Sequence, residues 1–221
     1  MEQGEPRSQR TGLRDDLYRF DHPPLLIVIS GTSGSGKDSV VKRLTRRMEA
    51  AGTPLHFVVT ANTRPRRENE VDGVDYIFVS MAEFEHMIAQ GELLEYARVY
   101  GQYRGIPRQQ VRQAMASNRD VVLRLDVQGA ATIRKMAPEA VLIFLTAPSE
   151  EELIKRLRKR CTEAPDELDR RLQTAREEMK RIPEFDYVVP NVTDKLDETV
   201  DTIVAILIAE KHRAIPRRVR L

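Results

Sequence analysis

Five short apolar runs punctuate the chain, at Leu25–Ser30, Phe57–Thr60, Val121–Asp126, Val141–Thr146 and Tyr187–Val189. They lack polar alternation, as strands buried on both faces do. Helix-period segments fall between most of them, at Asp38–Ala50, Ile106–Ser117, Gly129–Met136, Glu150–Arg160, Asp166–Lys180 and Leu196–Lys211. Buried strands alternating with helices predict an α/β fold, a parallel sheet flanked by helices. Ser80-x-x-Glu83 and Ser149-x-x-Glu152 are capping boxes that mark two helix starts. The alternation breaks over 62–103, where strand-like pieces (Tyr76–Val79, Leu93–Val99) surround one helix (Met81–Gln90). Gly73, Gly91 and Gly101 sit at its turns. This stretch reads as a small mixed α/β lobe inserted between two core strands. The core then takes 23–60 and 119–213, and the lobe 61–118.

The first apolar run leads straight into Gly31-Thr32-Ser33-Gly34-Ser35-Gly36-Lys37, and a helical pattern follows. G-x-x-x-x-G-K between a buried strand and a helix is the spacing that wraps backbone N–H groups around a phosphate chain and brings a lysine to its end. A Gly/Ser turn with a surface lysine is the plainer reading, and the strand-loop-helix context argues against it. Asp38 follows the lysine where a Ser or Thr ordinarily touches magnesium, and Ser39 comes one residue later. A carboxylate is a hard-oxygen ligand for Mg²⁺, directly or through water. It also places negative charge beside phosphates.

Composition narrows the partners. Across 221 residues, 36 Lys and Arg nearly balance 34 Asp and Glu, so nothing demands nucleic acid or a membrane surface. The single cysteine, Cys161, excludes an internal disulfide and suits a reducing compartment, hence the cytoplasm. His22, His56, His86 and His212 are scattered without ligand spacing, which excludes a metal cluster. No apolar run approaches membrane-spanning length. Residues 1–22 read as a flexible N-terminal extension, and 214–221 as a short, solvated basic tail.

Four further groups carry candidate chemistry. Thr63-Arg64-Pro65-Arg66-Arg67, followed by Tyr76, suits a clamp for a second phosphate, since Arg offers a rigid fork matched to phosphate oxygens; a solvated basic loop is the alternative. Glu95 interrupts an apolar strand. One carboxylate accepts from both N1–H and the 2-amino group of guanine, though a solvent-facing strand glutamate reads the same. Asp126 ends a buried strand where a P-loop enzyme holds magnesium or water, or it caps the helix that follows. Arg156 and Arg160 share one helix face, and Arg171 follows a Pro165-containing loop. They suit a migrating phosphoryl group, with a solvated basic helix as the alternative.

In this order and spacing the motifs resemble guanylate kinase, over about Leu25 to Lys211. The linked signals are the phosphate loop, T-R-x-x-R with Glu70–Tyr76, Leu93–Tyr96, the D-x-Q-G of Asp126–Gly129 and the arginines. The resemblance implies a P-loop NTPase core, a GMP-binding lobe and a helical lid at about 156–171. It implies transfer of the γ-phosphoryl of Mg·ATP to GMP or dGMP, by a monomer or small homo-oligomer. Lys37 and the loop from Gly31 through Thr32, Ser33, Gly34, Ser35 and Gly36 to Asp38 and Ser39 would hold ATP, with Asn191 near the adenine. Arg64, Arg67, Tyr76 and Arg104 would grip the GMP phosphate, and Thr60, Glu95 and Asp126 would complete the GMP site. Lys37, Arg156, Arg160 and Arg171 would be catalytic, and Asp38 and Asp126 are the candidate magnesium carboxylates.

Four positions depart from that pattern: Asp38 at the loop, Arg104 for a common Tyr, Ile106 for a guanine-binding hydroxyl, and Arg124 for an acidic residue. G-K-D and Tyr103–Pro107 look like the plant organellar variant of the family. Two other readings are a non-catalytic binding module of this fold and a kinase of another phosphorylated small molecule, such as ribose 1,5-bisphosphate.

Overall fold

The structure, a computed structural model, describes residues 22–99, 101–158 and 165–221. Most of the expected N-terminal extension, together with Arg160 and Cys161, lies outside the described residues. The chain runs from β1 (Leu26–Gly31) through α1 (Lys37–Ala50) and β2 (His56–Phe57) into a lobe of short elements. These are β3 (Ala61–Asn62), β4 (Ile77–Phe78), α2 (Met81–Ala89), β5 (Leu93–Val99) and β6 (Gln102–Pro107). After α3 (Arg108–Ala116) come β7 (Val121–Arg124), α4 (Val127–Met136), β8 (Val141–Thr146), α5 (Glu150–Arg158), α6 (Pro165–Met179), β9 (Tyr187–Pro190) and α7 (Leu196–Lys211).

The core sheet is parallel, in the order β2-β7-β1-β8-β9. All six residues of β1 are buried, and its successive side chains feed opposite faces. Ile27 and Ile29 meet α1 and α7 through Val40, Leu44 and Ile203; Leu26 and Val28 meet Val111 of α3 and Ile133 of α4. That two-sided burial is why the run shows no alternation.

A second sheet, β4-β3-β6-β5, forms the lobe. Two expectations shift here. The strand foreseen at Phe57–Thr60 is only His56–Phe57, because the chain then leaves the core sheet: the Thr60 carbonyl already accepts the Ile77 N–H of the lobe at 2.9 Å. The helix foreseen from Ile106 begins at Arg108. Pro107 holds the extended N-cap conformation, and Ile106 pairs with Glu95 across β5 and β6. Helix α3 sends Val111 and Ala114 into the core cluster.

The C-terminal tail is not merely solvated. The Arg217 guanidinium donates to both oxygens of Glu210, at 2.8 and 2.9 Å, and Glu210 also accepts the Tyr187 hydroxyl at 2.7 Å. Glu210 sits on α7 with a side chain only 1% exposed, so its charge needs a cation brought to it. Among the described residues, no helix is long and apolar enough to cross a membrane.

Candidate active site

The phosphate loop joins β1 to α1. Its glycines are required: Gly36 has φ of 88°, and a Cβ there would lie 2.4 Å from Asn191 Nδ2. That amide donates to the Ser35 carbonyl at 2.8 Å, and Asn191 Oδ1 accepts the Thr199 hydroxyl at 3.3 Å. Asn191 thus sits buried against the loop and braces it. Lys37, at the first position of α1, donates to the carbonyls of Gly31 and Thr32 at 2.7 and 3.0 Å. Burial lowers its pKa, against the pull of the Glu178 carboxylate. Glu178, near the end of α6, accepts the Ser33 N–H at 3.1 Å. Burial raises its own pKa, against the pull of Lys37.

The lobe shares one cavity with this loop. Lys37, Asp38, Thr60, Tyr76, Glu95, Arg104, Arg124, Asp126 and Glu178 line it, with Ser33 and Gly34. Glu95 on β5 is 4% exposed, and burial, with the Asp126 charge second, pushes its pKa up to about 8. Space for that carboxylate exists because residue 129 is glycine: a Cβ there would fall 2.9 Å from Glu95 Oε1. Asp126 is the N-cap of α4, accepting the N–H groups of Gln128 and Gly129 at 2.9 Å each. The Thr60 hydroxyl and Arg104 Nε are buried without a hydrogen-bond partner. Such groups cost roughly 1–3 kcal/mol each unless something binds them.

Other expected residues stand outside this cavity. Arg64 forms a two-pronged ion pair with Glu70, and its guanidinium carbon lies 4.9 Å from the Tyr76 ring centroid. Arg67 is exposed, and its N–H bonds the same Glu70. Arg156 donates to Glu152 at 3.1 Å, and to the Asn191 carbonyl and Thr193 hydroxyl at 2.8 and 2.9 Å. Arg171 is partly buried on α6, and Ser39 is exposed on α1. Ile106 is wholly buried in the core cluster and is not part of the cavity lining. Sequence reasoning missed Glu178. A signal existed: Glu178 falls three residues after the buried Ala175, on the apolar face of its helix.

The carboxylates suit a magnesium ion that arrives on a triphosphate. Among the described residues no group of three His, Cys, Asp or Glu side chains could cage a metal alone. Asp126 and Asp38 instead line the cavity beside Lys37, Asp38 already accepting a bond from Arg124 at 2.8 Å, and Mg²⁺ characteristically takes one or two carboxylates plus phosphates and water.

A phosphate loop on a parallel sheet, sharing one cavity with an inserted lobe, defines a P-loop nucleotide-dependent phosphotransferase. The guanylate kinase family model matches residues 24–210, and the chain belongs to that family. It is 52% identical over 199 residues to guanylate kinase 2, chloroplastic/mitochondrial, of Oryza sativa subsp. japonica, covering 90% of this chain and 68% of the relative. It is 42% identical over 189 residues to the guanylate kinase of Desulfitobacterium hafniense, covering 86% and 92%. Among solved structures, the guanylate kinase from Anaplasma phagocytophilum superposes with a TM-score of 0.72 at 30% identity, covering 89% of this chain and 90% of that one. The chain is therefore an enzyme, and none of these relatives supports a non-catalytic module or a different acceptor.

Proposed function

We propose that this enzyme transfers the γ-phosphoryl group of Mg·ATP to GMP, and to dGMP, releasing ADP and the nucleoside diphosphate. One observation carries the reading: a buried carboxylate, Glu95, opens onto the same cavity as the phosphate-loop Lys37. Once ionised, Glu95 accepts from N1–H and the 2-amino group of guanine together, a pair that adenine does not offer. The unpartnered Thr60 hydroxyl adds a second polar contact to the base, and Arg104 and Tyr76 take the acceptor phosphate.

On the donor side, the loop amides and Lys37 hold the β- and γ-phosphates. Asp126 would hold magnesium, chiefly through water, and the ion would supply neutralisation of phosphate charge, whereas Asp38 is engaged by Arg124 at 2.8 Å and is not needed for it. Arg64 and Arg67 close on the GMP phosphate, and Arg156, Arg160 and Arg171 on the transferring group, as lobe and lid approach the core. Closure aligns acceptor oxygen, phosphorus and leaving oxygen and expels water, so ATP is spent on GMP instead of hydrolysis.

The test is a coupled ADP-release assay with Mg·ATP and GMP, dGMP, AMP, CMP, UMP or ribose 1,5-bisphosphate. Turnover confined to GMP and dGMP is expected. Comparable turnover with another acceptor would overturn the guanine reading. Lys37→Ala should lower kcat by roughly three orders of magnitude with the fold intact, since Lys37 supplies a charge at the transferring phosphates.

A further inference from the structure

The two sides of the cavity meet at Arg124, to which neither the phosphate loop nor the base site assigns a task. Arg124 ends β7 with a side chain only 7% exposed. One Nη donates to Asp38 Oδ1 at 2.8 Å, on the first turn of α1; the other donates to the Asp75 carbonyl at 3.1 Å. Its guanidinium carbon lies 4.5 Å from the ring centroid of Tyr76 and 5.2 Å from that of Phe57. Lys42, one turn beyond Asp38 on the same helix, forms an ion pair with the Asp75 carboxylate. That carboxylate also accepts the Val71 N–H at 2.9 Å. Four charged side chains therefore cross-link the start of α1, the end of β7 and the loop that carries Tyr76.

The two halves of this network do different physical work. Asp38 puts a negative charge where a polyanion must bind, and a permanent cation at 2.8 Å cancels it. The second half depends on shape. Only a planar guanidinium reaches two acceptors at a fixed angle while stacking on an aromatic ring; an ammonium does one of these at a time.

We infer that Arg124 is a positioning residue with two separable duties: its charge neutralises Asp38 so that the triphosphate binds, and its fork fixes the 75–76 loop so that Tyr76 is set for the acceptor phosphate. The inference rests on the guanylate kinase reading above and adds to it a residue that couples the donor and acceptor sides.

Steady-state kinetics on Arg124→Lys, Arg124→Ala, Asp38→Asn and the Arg124→Ala/Asp38→Asn double variant separate the duties. Arg124→Lys keeps the charge and loses the fork. It should raise KM for GMP about tenfold, the worth of one hydrogen bond to a charged group, and KM for ATP far less. Arg124→Ala should raise both, and adding Asp38→Asn should recover most of KM for ATP and none of KM for GMP. An Arg124→Lys enzyme with wild-type KM for GMP would overturn the fork. A double variant no better for ATP than Arg124→Ala would overturn the neutralisation. A merely structural role would lower the melting temperature without splitting the two KM values. Should Arg124→Ala not fold, Arg124→Gln takes its place. If the wild type bound an ATP analogue yet phosphorylated no GMP, the functional reading would fail, while calorimetric binding of the analogue to the same variants would still decide the neutralisation.

Discussion

Glu95 holds a proton in the folded protein that it would give up in the unfolded chain. Burial, then the neighbouring Asp126 charge, moves its pKa from the ordinary 4.5 up to about 8. Guanine needs the ionised form, so GMP binding near neutral pH should release a proton, and affinity should climb with pH until about 8. Calorimetric GMP titrations in buffers of different ionisation enthalpy check this. Glu95→Gln should release only what the phosphate's own ionisation near about 6 gives. The same shift bears on stability. Because the folded pKa is the higher one, a proton-dependent contribution is full below about 4.5 and is lost as pH rises toward 8. Glu95→Gln should therefore gain in melting temperature over the wild type between pH 5 and 8. Glu95→Ala should raise KM for GMP by about a hundredfold, two hydrogen bonds to a charged group, with a smaller effect on KM for ATP. A carboxylate in an apolar strand was visible in the sequence. The pairing of Asp38 with Arg124 was not, since the partners lie 86 residues apart and neither residue type names the other.

At the scale of elements, legibility followed burial. β1 and β8 lie in the middle of the core sheet, so their apolar runs are unbroken and their limits were read to within a residue. β3 has two residues, too few for any period, and exists only because the second sheet pairs it, while β4, equally short, was legible as the core of the strand-like piece Tyr76–Val79. β6 hid because Ile106, a core residue of the strand, continues the apolar spacing of the helix after Pro107. The phosphate loop was legible by spacing, but the brace behind it was not: Asn191 reaches Ser35 from 156 residues away. That brace makes a prediction about the loop as a unit. Gly36→Ala would force a side chain into a left-handed conformation and against the Asn191 amide. It should cost roughly 1–2 kcal/mol in stability from the backbone alone, read by thermal denaturation, and abolish measurable binding of an ATP analogue.

Across the whole molecule, Arg64 and Arg156, two of the arginines proposed for phosphate, stand apart from the cavity that Lys37, Glu95 and Arg104 line. Arg64 is held by Glu70, and Arg156 by Glu152 and the 191–193 segment. The proposed reaction therefore requires lobe and lid to move toward the core. Small-angle scattering should show a smaller radius of gyration with GMP and a non-hydrolysable ATP analogue together than with neither. An unchanged radius would sink the closure. The lobe was legible in the broken alternation and the lid through family resemblance alone; their placement was not, because no local pattern encodes where two lobes stand relative to each other.

The seat of Arg217 on Glu210 also limits how the protein can be engineered. A chain cut before Pro216 would leave Glu210, whose side chain is 1% exposed, with the Tyr187 hydroxyl and only the longer 3.7 Å pair to Arg213 in place of the two short bonds from Arg217. Losing hydrogen bonds to a buried charged group costs about 1.5–3 kcal/mol, enough to lower the melting temperature by several degrees. Affinity tags and fusion partners belong after Leu221, and trimming the last residues to aid crystallisation would weaken the very molecule it aims to order.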